Sequence, residues 1–322
     1  MRCYINKCLW LSFALVFSLL TACASSEDFS STNEPVEGDV PVCFSALSLW
    51  LDSDKARADE TGNATTFAAG DKMCVFAYYN DSDSPNFMSH QMVSYDGTAW
   101  SYAPVKYWPT GTDARLSFYA YSPYGSDLGN GDVEVETGTG QPVLTYENAN
   151  ADIDLVAAKS EDLKCAVASE AAVPLRFSHI LAKVKFTFSK TGDYAPVIHA
   201  IKYDIPRKGT YTFSNKGSWA IPSDATCTLL RITENGSGEV IDGTNKPIED
   251  FTAYLMPCSV AKFSISVNNV FVDYTPDTAI GFLAGKQYTV NFVLAGSESS
   301  DVFITSYALW DSDGNVYSGD LK

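Results

Sequence analysis

From residue 72 to residue 294 the chain is a succession of short β-patterned segments separated by turn residues, and no long amphipathic helix comes between them. That spacing limits the fold more than any other feature. Strands alternating with helices build α/β sheets, whereas closely spaced strands alone pair into antiparallel sandwiches. Residues 72–79 (K-M-C-V-F-A-Y-Y) are aromatic and β-branched and close in the turn-rich N-D-S-D-S-P-N. Residues 90–95 and 99–102 flank Asp96-Gly97, a strong hairpin signal. Residues 105–109, 116–123, 143–146 and 153–157 complete the first set. A second set begins at Leu175, where Val184, Phe186 and Phe188 alternate with Lys183, Lys185 and Thr187. Period two of this kind buries one face and wets the other. Further strands are expected at 198–205, 209–214, 227–232, 251–256, 262–267 and 287–294. Composition shifts over residues 160–172, which divides an N-terminal domain, 41–170, from a C-terminal domain, 171–322. The fold class is all-β, two antiparallel β-sandwich domains in tandem.

The N-terminus has a different character. Arg2 and Lys7 precede an apolar run of 13 residues, 8–20, too short to span a bilayer comfortably and followed by small residues. Residues 1–22 therefore read as a signal peptide. Leu20-Thr21-Ala22-Cys23 resembles the bacterial lipobox, in which the cysteine is acylated and becomes the new N-terminus, making Cys23 the expected lipidation site. Buried methylenes contribute roughly 0.8 kcal/mol each, so a multiply acylated cysteine holds a protein at a membrane. Residues 23–40 are acidic and rich in Ser, Pro and Gly, the composition of a tether. Ser25-Ser26-Glu27-Asp28 resembles the acidic export tag of surface lipoproteins in the Bacteroidales.

The formal charge is −17, and removing residues 1–22 takes away two basic residues and no acids, leaving 20 basic against 39 acidic. Such a chain is repelled by nucleic acid and by anionic surfaces, and no nucleic-acid partner is expected. Of 8 cysteines, Cys3 and Cys8 leave with the signal and Cys23 carries lipid. Cys43, Cys74, Cys165, Cys227 and Cys258 remain, an odd set without Cys-x-x-Cys spacing. Neither a zinc site nor a full disulfide framework is indicated, and buried free thiols are the favoured reading for most of them.

No catalytic motif stands out. His90, His179 and His199 lie far apart, and His179 reads as a packed strand residue. Phosphate-loop, nucleophile-elbow and zincin patterns are missing from the sequence, and no metal or cofactor is expected. Asp311-Ser312-Asp313-Gly314-Asn315 resembles part of a calcium loop but reads better as a turn between strands. Trp100, Tyr102, Tyr107 and Trp108 fit either a sugar-stacking platform or core aromatics, with core favoured by their period-two spacing.

Several segments taken together carry a family resemblance. M-C-V-F-A-Y-Y at 73–79, Y-W-P at 107–109, L-S-F-Y-A-Y-S-P at 116–123, D-L-V-A-A at 154–158, L-R-F-S-H-I-L-A-K-V at 175–184 and L-A-G-K-Q-Y at 283–288 follow one another as in the fimbrillin-like proteins of the Bacteroidales. The resemblance implies transthyretin-like sandwiches and a lipoprotein precursor of a type V pilus. It implies that an arginine-specific protease cuts after an arginine behind the first strand, discarding lipid and strand together. The groove so opened is filled by a strand of a neighbouring subunit.

Carried onto this chain, the cut falls between Arg57 and Ala58 in the loop D-S-D-K-A-R-A-D-E. The displaced strand spans 42–51, with Val42, Phe44, Leu47, Leu49 and Trp50 as its apolar residues. The donor segment lies within 301–322, with Val302, Phe303, Ile304, Tyr307, Leu309 and Trp310 as plugs behind a G-S-E-S-S linker at 296–300. The expected role is a non-enzymatic structural subunit of a surface fimbrium, serving adhesion and biofilm formation. Its expected partners are other pilin subunits, the protease, the outer membrane through the precursor's lipid, and a host glycan or protein. The alternative is a monomeric surface lipoprotein that binds carbohydrate through exposed aromatics.

Overall fold

The structure, a computed structural model, describes residues 35–49, 64–65, 67–125, 132–136, 140–148, 150–214, 217–296, 303–311 and 316–320. These fall in one compact unit that begins at Glu34. The first strands are β1 (Glu37–Pro41), β2 (Phe44–Leu49), β3 (Ala64–Thr65), β4 (Lys72–Tyr79), β5 (Met88–Tyr95), β6 (Trp100–Ser101), β7 (Tyr107–Pro109) and β8 (Arg115–Ser122). Then come β9 (Asp132–Glu136), β10 (Val143–Glu147), β11 (Val156–Lys164), the short helix α1 (Cys165–Ala168), β12 (Val173–His179) and β13 (Ala182–Lys190). The chain continues through β14 (Val197–Pro206), β15 (Lys208–Thr212), β16 (Ser218–Ala220), β17 (Thr226–Ile232), β18 (Glu239–Val240) and β19 (Lys246–Pro247). It ends with β20 (Ala253–Leu255), β21 (Cys258–Val260), β22 (Phe263–Val267), β23 (Val270–Tyr274), β24 (Ile280–Phe282), β25 (Gln287–Ala295), β26 (Phe303–Asp311) and β27 (Val316–Asp320).

The first sheet runs β3–β2–β12–β11–β8–β4–β5–β6. Its central strands carry continuous apolar runs because both faces are covered. In β4, Met73, Val75 and Ala77 enter one core with Phe44, Phe118 and Phe177, while Cys74, Phe76 and Tyr78 enter another with Tyr119, Tyr146 and Phe213. That second core lies between this sheet and a smaller one ordered β16–β15–β10–β9. The C-terminal sandwich packs β19–β13–β25–β26–β27 on β17–β14–β22–β23. Here β13 puts Ala182, Val184, Phe186 and Phe188 inward, the face that its alternation predicts.

Three features differ from the sequence reading. Two pairings are parallel, β2 with β12 and β13 with β25, because in each case the partner strand comes from a distant part of the chain rather than from a hairpin neighbour. Residues 37–40, expected in the tether, belong to β1, which pairs with β7, so the chain is already paired at Glu37, five residues before Val42. Hydrogen bonding also runs across residue 170: β12 belongs to the first sheet, and β15 of the second half pairs with β10 of the first.

Candidate functional site

The region around β2 gathers most of the predicted site. Strand β2 is held on one side by β12 over six residue pairs, from Val173↔Phe44 to Ser178↔Leu49. On its other side, among the described residues, it pairs only with β3, through Ser48↔Thr65 and Leu49↔Ala64. It therefore sits one short strand from the sheet's edge. Alternation along the segment is strict: Val42 is 1%, Phe44 6% and Ser48 2% exposed, while Cys43, Ser45 and Leu47 face out. The Phe44 ring lies 5.8 Å from Phe118 and 5.6 Å from Tyr102. The Val42 N–H donates to the Lys106 carbonyl at 2.9 Å, and the Tyr102 hydroxyl donates to the Val42 carbonyl at 2.8 Å. Burial of Val42 and Phe44 contributes roughly 1.5–3 kcal/mol each to seating the segment.

Of the residues assigned to the displaced strand, Val42 and Phe44 point into the core, whereas Leu47 is 40% exposed. An odd–even count explains this: Val42 and Phe44 inward forces position 47 outward. Leu49 lies in β2, and Trp50 lies outside the described residues, as do Cys23, Arg57 and Ala58.

At the end of β2 the fold joins three groups that are remote in sequence. Ser48 Oγ lies 3.5 Å from His179 Nε2, and His179 Nδ1 lies 2.5 Å from Asp154 Oδ2. A carboxylate only accepts, so Nδ1–H donates to Asp154, and in the neutral imidazole Nε2 is left to accept from the Ser48 hydroxyl. Burial pushes the Asp154 carboxyl above the usual carboxylate range, with the His179 hydrogen bond acting the other way, and Asp154 Oδ1 is buried without a hydrogen-bond partner. The atom order is that of a Ser–His–Asp relay, but Ser48 is sealed from solvent and its hydroxyl is at the outer limit of hydrogen-bond length. What the group does in the folded chain is tie β2 to β12 and to the loop before β11. Sequence reading places His179 in a strand but has no means of pairing it with Ser48, 131 residues away.

The predicted donor segment lies at the far end of the molecule's strand order. Strand β26 pairs antiparallel with β25, from Tyr288↔Asp311 to Ala295↔Phe303, and β27 closes that edge. Ile304 is buried in the C-terminal core. Phe303, Tyr307, Leu309 and Trp310 lie in β26, and Val302 is outside the described residues. Strands β26 and β27 pair antiparallel, and residues 312–315 between them, where a turn is expected, lie outside the described residues. Trp108 is buried, Trp100 packs edge-on against Phe67 at 5.0 Å, and Tyr102 is taken up by Val42 and Phe44. Only Tyr107 of the four aromatics is exposed, so they form no shared stacking surface. The five cysteines among the described residues are unpaired, with Cys74 and Cys165 buried, Cys227 and Cys258 partly buried and Cys43 exposed.

Tandem β-sandwiches whose first and last strands lie at sheet margins are the class of protein that this geometry defines. The profile described as fimbrillin-like matches residues 56–306, and the chain belongs to the fimbrillin-like family. Fimbrium subunit Fim1C of Phocaeicola vulgatus is 27% identical over 207 residues, 53% of this chain and 53% of that one. A candidate fimbrium tip subunit Fim1C of Bacteroides ovatus is 35% identical over 106 residues, covering 31% of this chain and 19% of its own. This chain thus spans about half the length of the first curated relative and about a fifth of the second. A crystal structure of a fimbrial protein from Bacteroides vulgatus superposes with TM-score 0.51 at 17% identity, covering 78% of this chain and 93% of the other. That of a candidate cell adhesion protein from Bacteroides uniformis gives 0.52 at 17% identity, covering 85% and 98%. At these identities the structural likenesses show a common fold.

Proposed function

We propose that this protein is a structural subunit of a surface fimbrium, exported as a lipoprotein anchored through Cys23, matured by cleavage after Arg57 and polymerised by donor-strand exchange. Its work is mechanical and adhesive rather than catalytic, in the outer membrane as precursor and in the fimbrium once cut. The observation that carries the reading is the position of β2. It covers an apolar core but is held by one full-length partner, β12, and by a two-residue strand on the other side. Removing everything before Ala58 takes β1 and β2 together and uncovers Val173, Leu175, Phe177 and Phe118, all now buried. A groove of that kind, with one unpaired strand edge and apolar pockets, is a receptor for an added β-strand. Membership of the fimbrillin-like family supports the reading, as does a family match that starts at residue 56, beyond β2.

The deciding experiment is N-terminal sequencing of the protein taken from the surface of cells that assemble it. A mature chain starting at Ala58 is the expected result. A lipidated chain starting at Cys23 in the assembled fimbrium would refute maturation by strand removal.

A further inference from the structure

The first sheet has eight strands and the sheet that covers its second face has four, so the cover ends before the sheet does. Strand β16, at the margin of the smaller sheet, is only three residues long, and its Trp219 pairs with Tyr211 of β15. A cavity of about 840 Å³ remains there, bounded by β11 and β12, by β15 and β16, and by residues 283–284 of the C-terminal sandwich. Its volume and aromatic lining are those of a small-molecule site. The aromatic wall is fixed in place. The Trp219 Nε1–H donates to the Ile180 carbonyl at 2.6 Å, which ties the indole to the link between β12 and β13, and the Tyr211 ring lies 5.5 Å from both Trp219 and Phe213. Gly217, at φ +75°, leaves room for that ring, because a Cβ there would collide with the Tyr211 hydroxyl.

The facing wall carries charge. Alternation along β12 sends Val173, Leu175 and Phe177 into the core with Phe44 and leaves Arg176 and Ser178 on the other face. Lys159 of β11 belongs to the same wall but is offset by Glu161, whose Oε2 lies 2.7 Å from its Nζ. Arg176 is exposed, and among the described residues its guanidinium has no ion-pair or hydrogen-bond partner. No Asp or Glu among the described residues lines the cavity, in a chain with 39 acidic residues against 22 basic. Uncommitted hydrogen-bonding groups are few, since the indole N–H is taken by Ile180 and Ser218 Oγ lies 2.9 Å from Thr212 Oγ1. A neutral sugar would bury hydroxyls that find no partner, whereas one anionic group on Arg176 with an apolar body behind it is matched at both ends.

We infer that this cavity binds a small amphipathic organic anion, with its carboxylate on Arg176 and its apolar body against Trp219, Tyr211 and Leu283. The site goes beyond the fimbrial role and does not rest on it. Among the described residues none that lines the cavity precedes Ala157, so its walls stay in the chain whether or not a cut falls behind Arg57.

Isothermal titration calorimetry of the full chain at pH 7.5 tests this with decanoate as the anion and 1-decanol as its uncharged counterpart. Decanoate is expected to fill one saturable site, and decanol to bind it about tenfold or more weakly, the difference that a hydrogen-bonded charge pair makes. Arg176→Glu, at an exposed position, is expected to weaken decanoate by about tenfold or more while leaving decanol binding and the melting temperature unchanged. Leu283→Asp, on the part of the rim that comes from the C-terminal sandwich and 58% exposed, sets a carboxylate beside the same cavity and is expected to weaken decanoate as well. No saturable decanoate binding, decanol binding as tight as decanoate, or decanoate binding indifferent to both substitutions would each overturn the inference. Maltotetraose is expected to give no binding heat; saturable binding of it that Arg176→Glu abolishes would make the cavity a carbohydrate site and overturn the assignment to an amphipathic anion.

Discussion

Replacing Phe44 by Ala separates a strand that is kept for life from one that is discarded. The ring is 6% exposed, meets Phe118 nearly edge-on at 82°, and lies against Tyr102 on its other side. Deleting a buried phenyl ring costs about 3–5 kcal/mol through lost transfer energy and the cavity left behind. Among the described residues, strand β2 has only a two-residue neighbour on its outer side, so the site can partly collapse, and about 3 kcal/mol is the appropriate end of that range. In a domain of this size such a loss lowers the melting temperature by roughly 6–12 °C. Calorimetry on the uncut chain should show this drop in the transition of the N-terminal sandwich. After cleavage behind Arg57 and assembly, the altered residue has left with its segment, and variant and wild type should melt together. Phe118→Ala, on the retained wall of the same core, should weaken both forms. An equal loss for Phe44→Ala in cut and uncut protein would show that the segment stays, and no loss in the uncut chain would mean that Phe44 does not seat it.

Removing residues 301–322 takes Ile304 from the C-terminal core, which costs roughly 2–5 kcal/mol; size-exclusion chromatography should nonetheless find folded monomer that no longer assembles. Ser48→Ala should cost the uncut chain only about 0.5–1.5 kcal/mol in urea unfolding, whereas His179→Ala, which removes the side-chain hydrogen bond to the buried Asp154 carboxyl, should cost about 1–3 kcal/mol. Alkylation of the native chain at pH 8 followed by peptide mass mapping should label exposed Cys43 and spare Cys74 and Cys165, whose thiols burial pushes up to about 12 and about 11. The label should vanish from the matured protein, since Cys43 precedes Arg57. Burial likewise raises Cys258 and Tyr211 to about 12. Each of these groups holds its proton more tightly folded than unfolded, so its contribution is complete below the ordinary thiol value of 9.0 and is lost as pH rises toward about 12. Denaturation midpoints should therefore fall between pH 9 and pH 11, and a flat or rising series would contradict the burial of these side chains.

Much of the fold is legible in the sequence because burial in sheets leaves a periodic trace. The unbroken apolar run of residues 73–78 belongs to a strand covered on both faces, and the alternation at 182–188 belongs to one covered on a single face. The turn at Asp96-Gly97 is equally local: Asp96 Oδ1 accepts from the Thr98 and Ala99 N–H groups at 2.7 Å, and Gly97 adopts φ +98°. The first strand's apolar character is visible too, but composition alone does not say which parity faces the core, and in the fold Leu47 faces out. The Ser48–His179–Asp154 tie is invisible in sequence, since no local rule relates positions so far apart.

By itself, then, the sequence determined an all-β chain, the positions of most strands and the segment behind which a cut is expected. Tertiary structure alone decided that β2 runs parallel to β12 beside a two-residue edge, that β12 and β15 cross into the first half's sheets, and that Ser48 rather than Leu47 faces inward. The division has a physical cause. Side-chain patterning records whether a residue is buried, which each strand carries within itself, whereas backbone hydrogen bonds are chemically alike at every residue and choose their partner only when the whole chain has packed.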